Sequence, residues 1–190
     1  MMRHFNILFP FMAIYVKIIF MKKELYEWQE LCLKRWLANN GRGIVQAVTG
    51  SGKTYFALTA AHYLEQNSDR KLHVKIVVPS SALMHQWKQA LLEYHAHPEI
   101  GLWGGGHKSP TECRYMIYVI NSARYKLARQ ILEELKQGDS VLLIADECHH
   151  YASGQNQLIF EFLPHMKGYE KQFFSLGLSA TLPGGQSGQY

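Results

Sequence analysis

A chain of 190 residues has room for one domain of ordinary size, and its 47% apolar and 18% charged residues suit a folded globular chain, not a disordered one. The formal charge of +5 permits a polyanionic partner without requiring one, because lysine and arginine are spread along the sequence rather than run together. Cys32, Cys113 and Cys148 lie far apart with no CxxC pair, which argues against a zinc site or a disulfide framework and fits a reducing, cytoplasmic interior.

In chain order, the first feature is Phe5 to Met21, an apolar run interrupted by Pro10 and Lys17. It is shorter than the ~20 residues a spanning helix needs, and no small-residue cleavage site follows it. Residues 1–20 are therefore expected to lie outside the domain, with translation beginning at Met21 and no stable membrane association. A membrane anchor and an added strand are the alternatives. Glu24–Asn39 carries Leu25, Trp28, Cys32 and Trp36 at helical spacing and stops at Asn39-Asn40-Gly41. Gly43–Val48 reads as a strand entering a glycine loop, Lys53–Gln66 as a helix, and His73–Val78 as a buried strand. Ser81–His95 is helical, with Ser80 or Ser81 available as its N-cap. Glu99–Trp103 and Tyr115–Ile120 read as strands, Ala123–Lys136 as a helix, and Ser140–Ala145 and Phe173–Leu178 as strands. Strands alternating with helices predict a doubly wound α/β fold with a largely parallel sheet. In such sheets ligands sit at the carboxyl ends of strands.

Two motifs fall at such ends. Ala47–Thr54 reads AVTGSGKT. A strand, a glycine loop and a helix bring backbone N–H groups toward one point, which favours phosphate. Gly50 and Gly52 let the backbone turn and approach the anion. Lys53 is placed to reach the β and γ phosphates, and the Thr54 hydroxyl to ligate Mg²⁺. The bland alternative is an ordinary glycine-rich turn before a helix. Further on, VLLIADECH puts Asp146 and Glu147 at the end of an apolar strand. An aspartate there can hold Mg²⁺ across from Thr54, and the adjacent glutamate suits a base for attack on the γ phosphate. Alone, the pair could simply end a strand.

Asp146-Glu147-Cys148-His149 resembles the DECH variant of the DEAD/DEAH box of superfamily 2 helicases and translocases, whose loop motif commonly opens AxTGSGKT. Ala47, where the general phosphate loop has glycine, thus narrows the assignment. The resemblance implies a RecA-like P-loop NTPase domain over residues 21–183, followed by a polar tail, 184–190. It implies ATP and Mg²⁺ as cofactors. Thr49, Gly50, Ser51, Gly52, Lys53, Thr54 and His149 are then expected at the nucleotide, with Lys53, Asp146 and Glu147 catalytic. Gln29 resembles the upstream glutamine that reads the adenine edge, a solvent-facing helical glutamine being the alternative. Ser179-Ala180-Thr181 looks like the SAT motif that links ATP state to nucleic-acid binding. Pro79, Ser80, Ser81 and Gln86, within PSSALMHQW, look like a segment set against the nucleic-acid backbone, and Asn121-Ser122 is a looser match to another.

The Q-containing helix, the Gln86-Trp87 pair and DECH together look most like the branch of type III restriction-enzyme subunits and XPB-type repair helicases. That points to double-stranded DNA ahead of RNA. Motors of this superfamily use two RecA-like domains, and the second supplies arginines worth about 10³–10⁵ in turnover for related phosphoryl transfer. Nine residues after Thr181 cannot form it, so it is expected on a separate chain or lost by truncation. The expectation is a chain that binds Mg-ATP, hydrolyses it slowly and does not unwind. A nucleotide-dependent binding or regulatory module without motor output is the rival reading.

Overall fold

A computed structural model describes residues 24–180 apart from 111, 152 and 153. The expectations about residues 1–20, Thr181 and the polar tail lie outside the described residues. Seven strands form one sheet: β1 (Arg42–Gln46), β2 (Leu72–Val78), β3 (Ile100–Gly104), β4 (His107–Lys108), β5 (Tyr115–Val119), β6 (Ser140–Asp146) and β7 (Phe173–Ser179). Their order is β1-β7-β6-β2-β5-β3-β4, and every pairing is parallel except β3 with the two-residue β4. Parallel neighbours require crossovers, which are supplied by α1 (Glu27–Ala38), α2 (Lys53–Gln66), α3 (Ser81–Tyr94), α4 (Ile120–Ala123) and α5 (Leu127–Lys136).

The two-residue period of the strands sorts their side chains into two cores. Val74, Ile76 and Val78 of β2 face α1, α2 and α3, together with Ile144 and Leu176. Val77, Tyr118, Leu143 and Phe173 face α4, α5 and the 3₁₀ turns that follow β6. Because both faces are covered, β2 and β6 are buried at every position, which is why they read as unbroken apolar runs. Among the described residues no helix is long and apolar enough to cross a membrane.

The elements read from sequence are present with boundaries moved by a few residues, and three differences have physical causes. The expected helix over Ala123–Lys136 is two helices, because Arg124 turns back to donate to the side chain and carbonyl of Asn121 at 2.7 and 3.0 Å. The buried stripe of α1 is Gln29, Leu33 and Trp36, with Trp28 and Cys32 only partly covered. A polar residue joins that stripe because both ends of its amide find a partner inside the chain, as described below. Finally, His149 to Phe173 shows no periodicity in sequence, and the chain there makes short 3₁₀ helices, Cys148–Tyr151, Gly154–Phe160 and Leu163–His165.

Candidate nucleotide site and the carboxyl edge of the sheet

All the sequence motifs lie along the carboxyl edge of the parallel strands. The AVTGSGKT loop leaves β1, the acidic pair ends β6, and Ser179 ends β7 between them. The Ala47 N–H donates to the Ser179 carbonyl at 3.1 Å, which ties the loop to the strand beside it. Gly50 and Gly52 both have positive φ, +80° and +92°. A side chain at Gly50 would meet nothing within 4 Å, so the space above the loop is open.

At Gly52 the left-handed backbone starts α2 with no side-chain cap and no acidic residue in the first turn. The first N–H groups of such a helix have no carbonyl one turn back to meet, and the Ser51 hydroxyl is buried without a partner. Unmet donors at a helix N-terminus suit an anion. Lys53 meanwhile donates to the carbonyls of Ala47 and Val48 at 2.6 and 3.1 Å, its ammonium folded back over the loop. Thr49 and Gly50 are exposed, and Ser51 to Thr54 are partly buried.

Gln29 underlies this loop. Its side chain is 1% exposed. The amide nitrogen donates to the Gly52 carbonyl at 3.1 Å, and the amide oxygen accepts from the Tyr26 N–H at 2.9 Å. Its amide thus props the glycine turn from beneath. That is not the solvent-facing glutamine; each end of the amide makes one bond inside the chain and keeps a second N–H or lone pair.

The acid pair is asymmetric. Asp146 is 7% exposed. One carboxylate oxygen accepts from the Trp87 indole N–H at 2.7 Å and the other from the Glu147 N–H at 3.0 Å. Burial raises its pKa, opposed by the Trp87 bond; the Glu147 charge raises it further, and the Lys53 charge lowers it. The Tyr151 hydroxyl sits 2.6 Å from the Asp146 carbonyl and 2.8 Å from that of Val77, pinning the strand end with its one proton. Glu147 takes a left-handed backbone, φ +50°, and its carboxylate lies 3.4 Å from His149 Nδ1. The same nitrogen is 3.1 Å from the Ser179 hydroxyl. His149 thus bridges the acidic box and the SAT segment; Thr181 lies outside the described residues.

Farther along the edge, Ser80 caps α3, its hydroxyl accepting from Leu83 N–H at 3.3 Å. Pro79 and Ser81 are partly buried and Gln86 is exposed. Asn121 is exposed and Ser122 partly buried at the end of β5. These segments meet at the β3–β4 turn: a Cβ at Gly104 would stand 2.8 Å from the Ser122 hydroxyl, and one at Gly105 would stand 2.4 Å from that of Ser81. Both glycines have positive φ, so the turn closes there for want of side chains. Next to it, the Lys126 ammonium lies 3.8 Å from the Trp103 ring centre, and Tyr125 is 82% exposed. Tyr151, Trp103 and Tyr125 were not singled out from sequence, and Trp87 only as half of the Gln86-Trp87 pair. Trp87 reads as a core residue of an amphipathic helix, and only its N–H, which a buried indole must satisfy, hints at more.

The fold is shared with solved structures. The UvsW helicase from bacteriophage T4 superposes with a TM-score of 0.61 at 22% identity, over 85% of this chain and 55% of that one. The SWI2/SNF2 ATPase core of Sulfolobus solfataricus, in complex with double-stranded DNA, gives 0.61 at 13% identity over 85% and 33%. The Type ISP restriction-modification enzyme LlaGI, as a nuclease-deletion mutant with a DNA substrate mimic, gives 0.57 at 17% identity over 84% and 18%. This chain therefore spans less than two thirds of each of those chains. No curated protein sequence matches it. The sheet order, the loop after β1 and the acidic box after β6 define a RecA-like α/β domain. A family model described as type III restriction enzyme, res subunit, matches residues 22–184, and the chain belongs to that family.

Proposed function

We propose that this chain is the ATP-binding half of a nucleic-acid-dependent ATPase acting on DNA. The observation that carries the reading is that the Lys53 loop after β1 and the Asp146-Glu147 pair after β6 share one carboxyl edge, with only β7 between them, beside an uncapped helix N-terminus. Triphosphate replaces the Ala47 and Val48 carbonyls as the partner of Lys53, and the first-turn N–H groups of α2 orient it. Thr54 and Asp146 are the residues that would hold magnesium, which would neutralise charge on the phosphoryl oxygens. Glu147 accepts a proton from the attacking water, and His149, bonded to Ser179, keeps the glutamate in place and reports its state to the next strand.

The loops after β2, β5 and β3 offer donors and positive charge for a phosphate backbone. Ser80, Ser81, Gln86, Asn121 and Ser122 belong to segments that hold no Asp or Glu, and Lys108, Arg124 and Lys126 stand among them. Two of the structural neighbours were solved with DNA or its mimic, which supports the same partner here. The second RecA-like domain, on another chain or on a longer form of this one, completes the cleft with its arginines, so turnover by these residues alone is low.

Nucleotide-binding and steady-state ATPase assays, with and without duplex DNA, test the reading. The wild type is expected to bind Mg-ATP and turn it over slowly. Lys53→Ala is expected to lose at least tenfold in affinity, and Glu147→Gln to bind normally with turnover down about 10²-fold or more. Turnover indifferent to Glu147→Gln rules out catalysis at this site.

A further inference from the structure

Trp87 is 1% exposed, on the same buried stripe of α3 as Met84 and Leu91, and its single polar atom is spent on Asp146. An indole N–H can only donate, so burying it at this place demands an acceptor, and the acceptor is the carboxylate that ends β6. Rotation about the last torsion of an aspartate is broad and roughly two-fold. Of the two oxygens, Oδ1 already accepts from the Glu147 N–H at 3.0 Å. The indole, 1% exposed and packed in the core, holds Oδ2 at 2.7 Å, so it is the side-chain partner that keeps the carboxylate from swinging about its backbone bond. The Tyr151 hydroxyl does the same for the main chain of the residue.

We propose that Trp87 is a positioning residue for magnesium: its N–H commits one oxygen of Asp146 and so presents the carboxylate to the metal in one orientation. This rests on the reading of Asp146 as a magnesium-holding residue. Hydrogen-bond partners of metal-binding carboxylates typically matter by about 10–100-fold in metal affinity, which sets the scale of the effect.

The test is a magnesium titration of the full chain, followed by the fluorescence of a labelled ATP analogue, with a parallel measurement in EDTA. Trp87→Phe keeps an aromatic ring in the core and removes the donor. The magnesium concentration at half-effect is expected to rise about tenfold, with affinity for the metal-free analogue unchanged. Replacement of Trp87 by its benzothiophene analogue, equal in shape but without the N–H, gives the same readout if phenylalanine leaves the core too loose to fold. Met84→Ala, on the same stripe, loosens the core without touching the bond and is expected to leave the magnesium midpoint in place. An unshifted midpoint in both Trp87 variants overturns the inference alone. Equal losses with and without magnesium do the same, because they mark a merely structural role. A wild-type chain whose nucleotide binding ignores magnesium overturns the site reading and this inference with it.

Discussion

Asp146 sits where its charge is least welcome. Burial pushes its carboxyl above the ordinary range, and the bonds from Trp87 and from the Glu147 N–H, with the Lys53 charge, recover only part of that. A carboxyl whose pKa is raised by folding binds its proton more readily in the folded chain than in the unfolded one. Its contribution therefore favours the fold below the unfolded value of about 3.9 and is lost as pH rises through the folded value, so at neutral pH the ionised group weighs against the fold. Asp146→Asn keeps an oxygen for the Trp87 bond and carries no charge. Its melting temperature is expected above that of the wild type at pH 7, with the gap closing as pH falls toward 4, while the response of nucleotide binding to magnesium disappears. Thermal unfolding at the two pH values checks this; a variant less stable at pH 7 would mean that the indole bond outweighs desolvation. The residue types of the site were legible in the sequence because glycine, lysine and paired acids at those spacings have few other uses. What could not be read was the support beneath them. Gln29, Trp87 and Tyr151 act through contacts set by tertiary packing, and nothing in their own neighbourhoods marks it.

Between β2 and α5 the sheet carries a buried polar layer. Lys75, with no exposed surface, lies 2.5 Å from Glu134. Gln130 donates to the same carboxylate at 3.1 Å, and His73 sits 3.4 Å from it and 2.9 Å from Asp139. The Tyr118 hydroxyl donates to Gln130 and extends the layer. Desolvation lowers the Lys75 pKa, with Glu134 opposing. Such a pair is costly to break and cheap to replace entirely, because a lone buried charge pays the full loss of solvation. Lys75→Met is expected to destabilise the chain by about 3 kcal/mol, toward the low end of the range for breaking buried pairs, since His73 and Gln130 remain beside Glu134. Lys75→Met with Glu134→Leu is expected to regain most of that in urea unfolding. A double variant no more stable than the single one would show that the layer stabilises through His73 and Gln130. This layer also marks the limit of reading elements from sequence. HVKIVV announces a buried strand by its apolar run, and the same run gives no sign that its lysine points at a carboxylate 59 residues away. Regular strands and long helices were legible because period and burial coincide. The break at Arg124, the two-residue β4 and the 3₁₀ turns after β6 were not, because side-chain bonds and close approaches set them and periodicity does not.

At the scale of the molecule, charge is sorted by edge. Beyond the acidic pair of β6, the loops at the carboxyl ends of β2, β5 and β3 carry no acid from Pro79 to Ala90, from Gly104 to Pro110 or from Val119 to Gln130. The opposite edge mixes Glu65, Asp69, Glu99, Asp139 and Glu170 with its bases. Residues 24–180 carry sixteen Lys and Arg against fifteen Asp and Glu, so a stripe fit to follow a phosphate backbone comes from where the charges are placed along the carboxyl edge and not from their total. Arg124 and Lys126 stand at its centre, either side of the exposed Tyr125. Neither touches the nucleotide loop, so their charges can be reversed without disturbing it. In Arg124→Glu with Lys126→Glu, Mg-ATP binding is expected to stay at the wild-type level while duplex DNA binding weakens at least tenfold. If each cation neutralises one phosphate, the slope of log affinity against log salt falls by about 1.8, from ~0.9 per contact. Fluorescence anisotropy with labelled duplex across a salt series measures both quantities. An unchanged slope would place the DNA on another face of the domain, and the charge sorting along this edge would then need a different polyanion to account for it.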